Sequence, residues 1–474
     1  MHLSEVRLSN IACFEDISID FTGQVSGKPA SWIVLLGENG TGKSTLLQMI
    51  GAALLAQNQF AVIAGDVNWR GYIRDQNSSE KARIWLQVQP EAGDVGYLQG
   101  QSSLETFFYL RDQGQDRFPP HPSPGPYMYD SPLAPLYDDS LSGGWFACGY
   151  SPWRRPTRRL GADKGAIPTL EDSAKPFRFA SLFGDGAGLT DVSEWLSGLY
   201  FRSIYPDRTD ADEKRFGTAK SALLRTMPRV KSLKVTQDRQ VLVSHDRVEV
   251  PIERLSDGYR GTLAWVGDLI RRLFDAYPDS PNPLRQRGVV LVDEIDLHLH
   301  PRWQRTVVED VRALFPNIQF IVTTHSPFVA QDLRIQDKII VLDRAPNGKS
   351  VVVREGAGAV QNWSADQILS GYFGLSSGTR GEEALREEAR YERLLDAEAA
   401  GELTQKMKAD LEFIHGQVNL MPIGDTPDEQ AIFRAIGNAT AAVRRRRESL
   451  ANSLGTAEGE DNVGTQSINT EASQ

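Results

Sequence analysis

An octapeptide near the start of the chain, Gly37-Glu38-Asn39-Gly40-Thr41-Gly42-Lys43-Ser44, fits the pattern GxxxxGK[ST] at every fixed position. It follows the apolar run Trp32-Ile33-Val34-Leu35-Leu36 and precedes Leu46, Leu47, Ile50, Leu54 and Leu55, which recur at helical spacing. An unbroken apolar run of this length reads as a strand buried on both faces. Strand, glycine loop, helix is the order in which a backbone wraps around an anion. Glycines let successive N–H groups converge, and the helix adds the positive end of its dipole. Lys43 would then reach the outer phosphates of a bound nucleotide, and the Ser44 hydroxyl would be a ligand for a divalent cation.

A second apolar run, Val289-Val290-Leu291-Val292, ends in Asp293 and Glu294. Carboxylates at the end of a buried strand cost several kcal/mol unless they are paired or bind a metal. Asp293 is therefore the expected cation partner of Ser44, and Glu294 is placed to accept a proton from an attacking water. A third run, Phe320-Ile321-Val322-Thr323-Thr324, ends in His325. Both polar strand ends can lie side by side at the carboxyl edge of one parallel sheet, where ligands of such sheets bind. That placement favours a terminal-phosphate contact for His325 over a structural role. His298 and His300 are spaced like metal ligands, but no cysteine or third histidine lies near them in sequence, so no metal is expected there.

Composition narrows the class. Hydrophobic residues make up 40 % of 474 and charged residues 24 %, as in a soluble globule. A net charge of −10 excludes a uniformly basic nucleic-acid binder, though not local basic patches. Two cysteines, Cys13 and Cys148, make no disulfide framework or CxxC zinc site, and a reducing cytosol fits them best. The N-terminus has no basic segment followed by an apolar one, and no apolar run approaches the ~20 residues that span a bilayer. The expectation is a cytoplasmic protein with no membrane contact.

Along the chain, short strands are expected over 1–36 and 57–115, including Ala82–Val88. Residues 116–176 are rich in Pro, Gly and Arg and read as an insertion with long loops. Helices follow over 177–230, strands near 231–250, a helix over 259–274, and a helix over Trp303–Phe315. Ile339–Leu342 and Val351–Val353 read as a hairpin turning at Pro346-Asn347-Gly348. Leu403, Met407, Leu411 and Ile414 form one helical stripe. Residues 451–474 carry four acidic and no basic residues and read as disordered. The division expected is 1–115 and 231–375 as two parts of one core, 116–230 as an inserted lid, 376–450 as a helical partner or oligomer region, and 451–474 as a tail.

Taken together, these segments resemble a known class. Gly37–Ser44 resembles the Walker A motif, Leu291–Glu294 the Walker B motif, and His325 the switch histidine. Leu255-Ser256-Asp257-Gly258-Tyr259 resembles the ABC signature LSGGQ, with Asp for the first Gly and Tyr for Gln. Asp293–Pro301, reading DEIDLHLHP, is similar to the RecF, OLD-family and SMC-class ABC ATPases. Cys148-Gly149-Tyr150-Ser151-Pro152-Trp153-Arg154-Arg155 and Leu255–Gly261 resemble the bacterial group that contains Septu PtuA-like antiphage ATPases. The resemblance covers roughly residues 1–375. It implies an α/β fold: a P-loop ATPase head with a mixed β-sheet and flanking helices, an inserted lid and a C-terminal helical region. It implies ATP and Mg²⁺ as cofactors. Gly37, Asn39, Gly40, Gly42, Lys43, Ser44 and Thr45 would bind nucleotide, and Ser44 and Asp293 would bind the metal. Glu294, His325 and Lys43 would act in hydrolysis. Ser256 and Gly258 would close on the nucleotide of a second copy, in a head-to-tail homodimer or a higher assembly. Asp257 departs from the pattern by placing a carboxylate near a phosphate. Gln87 and Gln89 are candidates for the Q-loop glutamine.

The resemblance also implies a nucleotide-dependent switch in a nucleic-acid-processing complex, in antiphage defence, with a separate nuclease of HNH type. A RecF-like repair ATPase and a non-hydrolysing ATP-gated scaffold or sensor are the alternatives. No long coiled coil interrupts the core, unlike SMC proteins. No DxD with an upstream glutamate and no HNH-like constellation is found, so the chain is not expected to carry its own nuclease. Arg154, Arg155, Arg158 and Arg159 cluster beside Trp153, and Arg444 to Arg447 form a second cluster. Arginines beside an aromatic residue suit a nucleic-acid backbone and a stacked base. Solvated loops, or ion pairs with the charged segment 380–415, are the competing reading.

Overall fold

The computed structural model describes residues 1–23, 27–55, 69–75, 82–90, 103–110, 146–154, 178–184, 189–245, 248–346, 348, 350–356, 360–374, 386, 390, 393–394, 397, 402 and 404–418. The chain divides into two compact units, Met1–Gly378 and Thr379–Gln474.

In the first unit the apolar runs become the centre of a six-stranded sheet. Its strands are β3 (Trp32–Gly37), β6 (Phe146–Tyr150), β10 (Gly288–Val292), β11 (Ile318–Thr323), β12 (Lys338–Arg344) and β13 (Val351–Glu355). The order is β13-β12-β3-β11-β10-β6, and every neighbouring pair is parallel except β12 with β13. The sequence runs are continuous because both faces are covered. Ile33 and Leu35 of β3 enter one core together with Val289, Leu291, Ile321 and Ile340. Trp32, Val34 and Leu36 enter the other with Val290, Val292, Phe320 and Val341. Each fully buried aliphatic side chain contributes roughly 1.5–3 kcal/mol, so a one-residue slip that exchanged the faces would be strongly opposed.

On the first face lie helix α1 (Lys43–Leu54), the short α2 (Ala180–Phe183) and an antiparallel four-stranded sheet. That sheet has the order β2 (Phe14–Asp20), β1 (His2–Ile11), β4 (Ala82–Gln89), β5 (Leu104–Leu110). On the other face pack α3 (Val192–Ile204), α4 (Asp210–Arg225), α5 (Asp257–Ala276), α6 (Pro301–Gln304), α7 (Val307–Leu314), α8 (Pro327–Gln331) and α9 (Ala365–Phe373). A three-stranded sheet, β7 (Val230–Val235), β8 (Val241–His245) and β9 (Val248–Pro251), joins this second core through Leu233, Val241 and Val243. Asp191 caps α3, and Thr209 with Asp212 forms a capping box on α4. The first unit is thus an α/β head with a mixed sheet and flanking helices.

Three details differ from the sequence reading. Phe146–Tyr150, inside the stretch expected as an insertion, is an edge strand of the main sheet paired with β10. Five residues containing Cys148 and Gly149 carry too short a pattern to announce a core strand. The helix expected over Trp303–Phe315 is two helices, and at the break the Thr306 hydroxyl donates to Asp310 Oδ2 at 3.0 Å, with the Trp303 carbonyl a longer alternative acceptor at 3.4 Å. The segment after Leu255 is helical from Asp257, two residues before its expected start. The hairpin of β12 and β13 forms as expected, with Asn347 of its turn outside the described residues.

In the second unit, α10 (Gln405–Val418) turns Met407 and Leu411 to half-buried positions, and Arg390 pairs with Asp410 at 2.5 Å. Leu403, Arg155, Arg158, Arg159, Arg444 to Arg447 and 451–474 lie outside the described residues. Among the described residues no helix is long and apolar enough to cross a membrane.

One buried polar side chain ties the two large sheets together. Gln319 of β11 accepts from the Leu3 N–H at 2.7 Å and donates to the Leu3 and Ala30 carbonyls at 3.0 and 2.9 Å. Gln319→Leu keeps the volume but leaves three buried main-chain groups without that partner. It is expected to lower stability by about 2–4 kcal/mol in denaturant unfolding. A loss below about 0.5 kcal/mol would contradict this account of the junction.

Candidate functional site

Because β6, β10, β11, β3 and β12 run parallel, their carboxyl ends share one edge. At the end of β3 the chain turns through the octapeptide into α1. Gly42 caps α1 at φ 87, a left-handed conformation, and a Cβ there would lie 2.4 Å from the Cys13 Sγ. Only glycine fits. Thr41 closes the loop by donating its hydroxyl to the Glu38 carbonyl at 2.9 Å. Lys43, 6 % exposed, folds back so that its Nζ donates to the Gly37 and Glu38 carbonyls at 2.8 and 2.9 Å. Ser44 is exposed and Thr45 half-buried, both in the first turn of α1. Asn39 and Gly40 are exposed at the loop crest, where the Arg344 guanidinium donates to the Asn39 carbonyl at 3.4 Å.

Next along the edge, β11 and β10 bring Thr323, Thr324 and His325 beside Asp293, Glu294 and Asp296. The Thr323 hydroxyl donates to Asp293 Oδ1 and accepts the Glu294 N–H at 2.7 Å. The Ile295 N–H reaches the Thr323 carbonyl at 3.0 Å, and the Thr324 hydroxyl donates to Asp296 Oδ1. Asp293, 3 % exposed, also donates its N–H to the Tyr150 carbonyl of β6 at 2.9 Å. Glu294 sits at φ 48, a left-handed conformation for a residue with a Cβ.

Charge is concentrated here. Burial pushes the Glu294 carboxyl up, and Asp293 and Asp296 push it further, against the pull of Arg154 and Lys43. Burial lowers the Lys43 ammonium, while Asp293, Glu294 and Asp296 hold it charged. Burial and Lys43 lower the half-buried His325, which favours the neutral ring near pH 7. The sequence reading placed Lys43, Asp293, Glu294 and His325 at one strand edge, and the parallel strands β3, β10 and β11 lead to these residues.

Ser256 and Gly258 lie elsewhere in the head, at the start of α5. Ser256 is the exposed N-cap residue, with no side-chain cap bond. Asp257 is exposed and paired with Arg260, so its carboxylate is directed along the helix. A Cβ at Gly258 would lie 2.4 Å from the His298 carbonyl, so the signature turn and the loop after Glu294 are packed backbone to backbone. The Tyr259 hydroxyl donates to the Pro228 carbonyl and its ring lies 5.0 Å from that of Trp303, so Tyr in place of Gln anchors the helix. His300 caps α6 through its Nδ1, which accepts the Arg302 N–H at 3.2 Å.

Two expectations change. Gln87 and Gln89 belong to β4 in the antiparallel sheet, where Gln87 accepts from Ser4, and so do not reach this edge as a Q-loop residue would. Arg154 is not a surface arginine for nucleic acid. It is 8 % exposed and its Nη2 donates to the carbonyls of Asp293 and Glu294. Trp153 beside it remains 53 % exposed. Cys13 and Cys148 are both free, and Cys13 packs on the nucleotide loop itself. Burial pushes the Cys148 thiol up to about 12. Thr323, Thr324 and Arg154 are site residues that the sequence reading missed. Two hydroxyl residues closing an apolar strand were the available signal for the threonines.

Residues 5–111 match a family described as an AAA domain, and residues 193–330 match one described as an AAA domain, putative AbiEii toxin, Type IV TA system. The Retron Ec83 probable ATPase of Escherichia coli is 35 % identical over 160 residues, 33 % of this chain and 29 % of that protein. The Retron Vc95 probable ATPase of Vibrio cholerae is 53 % identical over 81 residues, 17 % of this chain and 16 % of that protein. The Septu protein PtuA of Bacillus mycoides is 24 % identical over 465 residues, 94 % of this chain and 55 % of that protein. The chain therefore spans no more than 55 % of the length of these relatives. Among solved structures, an Smc head bound to the C-winged helix domain of ScpA aligns over 75 % of this chain and 98 % of its own, at 14 % identity and a TM-score of 0.44. The match over 5–111 contains the octapeptide, and the match over 193–330 contains Leu255–Tyr259, the acidic strand end and His325; in these two segments the chain is similar to AAA-type domains, and it is similar to retron probable ATPases and to the Septu protein PtuA.

Proposed function

We propose that this chain binds and hydrolyses ATP as the nucleotide-dependent switch of an antiphage defence complex whose cutting subunit is a separate nuclease. The observation that carries the ATPase reading is the shared strand edge: β3, β11 and β10 pair in parallel, and the octapeptide with Lys43, His325 and the Asp293–Glu294 pair follow their carboxyl ends. The names of its relatives, retron ATPases and Septu PtuA, support the setting.

The residues divide the chemistry as follows. The loop 37–44 and the N-terminus of α1, a 12-residue helix, hold the phosphates through main-chain N–H groups. Lys43 exchanges the Gly37 and Glu38 carbonyls for phosphate oxygens. The Ser44 hydroxyl and the Asp293 carboxylate are hard oxygen donors suited to Mg²⁺, which when bound neutralises phosphate charge. Glu294, its carboxyl raised above the ordinary range, takes the proton of the attacking water. Neutral His325 hydrogen-bonds the terminal phosphate. Ser256 and Gly258 of a second copy complete the site, the exposed Ser256 N-cap with its unused side chain and the N-terminus of α5 offering a second anion site.

Glu294→Gln should lower phosphate release by about 10²–10⁴-fold while leaving Mg²⁺-dependent ATP binding intact. Because the Glu294 carboxyl is raised, wild-type kcat should rise with pH through a limb above the usual carboxylate range, measured by steady-state phosphate release. Undiminished turnover in the variant would refute Glu294 as the base, and absence of turnover in the wild-type protein would leave the scaffold reading standing.

If the site is shared between copies, Lys43→Ala and Ser256→Arg proteins should each be inactive alone. Their equimolar mixture should recover roughly one quarter of wild-type activity, since half the random dimers contain one intact site. No recovery would count against the head-to-tail arrangement.

Capture of full-length Glu294→Gln protein from its native cells with ATP and Mg²⁺, followed by mass spectrometry, tests the setting. A stoichiometric nuclease is the expected result. Replication or recombination proteins without one would favour repair.

A further inference from the structure

Beyond Tyr150 the chain turns back across the strand edge. The Trp153 N–H reaches the Ser151 hydroxyl at 3.2 Å and the Arg154 N–H reaches the Pro152 carbonyl at 2.9 Å. This tight turn sends the Arg154 side chain inward, with its guanidinium 6.0 Å from the centre of the Trp265 ring. Its Nε donates to the Ser151 carbonyl at 3.1 Å, which fixes the plane of the fork. Its Nη2 then donates to two successive carbonyls, that of Asp293 at 2.6 Å and that of Glu294.

A buried arginine ordinarily pairs with a carboxylate. This one lies among Asp293, Glu294 and Asp296, yet its hydrogen bonds go to main-chain carbonyls. The reason lies in the backbone it holds. A residue with a Cβ costs about 1 kcal/mol or more at the φ of 48 seen for Glu294, and such a conformation persists only where its surroundings over-determine it. Thr323 holds the peptide from the sheet side by accepting the Glu294 N–H. Arg154 holds it from the opposite side of the peptide, by its carbonyls. Between them the direction of the Glu294 side chain is fixed. The Thr323 and Thr324 hydroxyls take Oδ1 of Asp293 and Asp296, and the arginine itself occupies no carboxylate oxygen.

We propose that Arg154 is a positioning residue for ATP hydrolysis: by gripping the Asp293 and Glu294 carbonyls it locks the left-handed turn that aims the Glu294 carboxylate at the attacking water, without itself touching the nucleotide. This rests on the reading of Glu294 as the base.

The test uses the full chain with Arg154→Ala and Arg154→Lys. Arg154→Ala should lower kcat by about 10–100-fold with KM and Mg-ATP affinity within about threefold of wild type, since a misdirected base affects the reaction and not binding. Arg154→Lys should recover only part of kcat, since an ammonium supplies the charge without the planar fork. Hydrogen exchange on the nucleotide-free proteins should show faster opening of 293–298 in Arg154→Ala, with β11 unchanged.

Wild-type kcat in either variant, or a loss of Mg-ATP affinity as large as the loss of kcat, would overturn the proposal. If Arg154→Ala does not fold, Arg154→Lys decides by the same split between kcat and KM. The exchange measurement stands apart from catalysis. If wild-type protein proved not to turn over ATP, the base assignment would fall, while unchanged exchange at 293–298 would separately refute the grip.

Discussion

The parallel pairing of β10 with β11, register Val292 to Val322, is the contact on which the site depends. It places the end of the acidic strand one residue step from the end of the threonine strand. One hydroxyl, that of Thr323, can then serve both the Asp293 carboxylate and the Glu294 N–H. Carboxylates at the end of a buried strand are costly without partners, and here the partner is a neighbouring strand's side chain held by the same ladder. The β3–β11 pairing extends the logic, because the strand that orders Thr323 also adjoins the strand that launches the nucleotide loop.

Electrostatic balance follows from that geometry. Three carboxylates, Asp293, Glu294 and Asp296, face two buried cations, Lys43 and Arg154. Burial outweighs the upward pull of the same three carboxylates, so Arg154 is lowered to about 10. The two cations are held differently. Lys43 rests on loop carbonyls that phosphate oxygens can replace, whereas Arg154 is fastened at three points to main chain.

The signature helix is tied to the same edge from behind. Asp268 in the middle of α5 is fully buried. It accepts from the Tyr150 hydroxyl at 3.0 Å, from the Thr190 hydroxyl at 2.6 Å, and from Arg272. Burial raises that carboxyl, and Arg272 with Thr190 more than offsets it. Tyr150 is also the residue whose carbonyl takes the Asp293 N–H, and it precedes the turn that delivers Arg154. The helix that begins at Ser256 and the strap that holds Glu294 therefore share one buried anchor.

Much was legible in the sequence. The octapeptide, the two apolar runs with polar ends and the helical period after Ser44 are local patterns, and local patterns follow directly from backbone sterics and burial. They fixed the α/β class, the loop, and the neighbourhood of Lys43, Asp293, Glu294 and His325. The sequence could not determine which distant segment completes the edge. Phe146–Tyr150 is too short and too mixed to announce itself as a core strand, and Arg154, seen among neighbouring arginines, reads as surface charge. Only strand order brought it to carbonyls 139 and 140 residues away. A side chain's nearest partners in sequence are set by the chain, whereas its partners across a sheet are set by which strands pair. The tertiary structure alone decided the second.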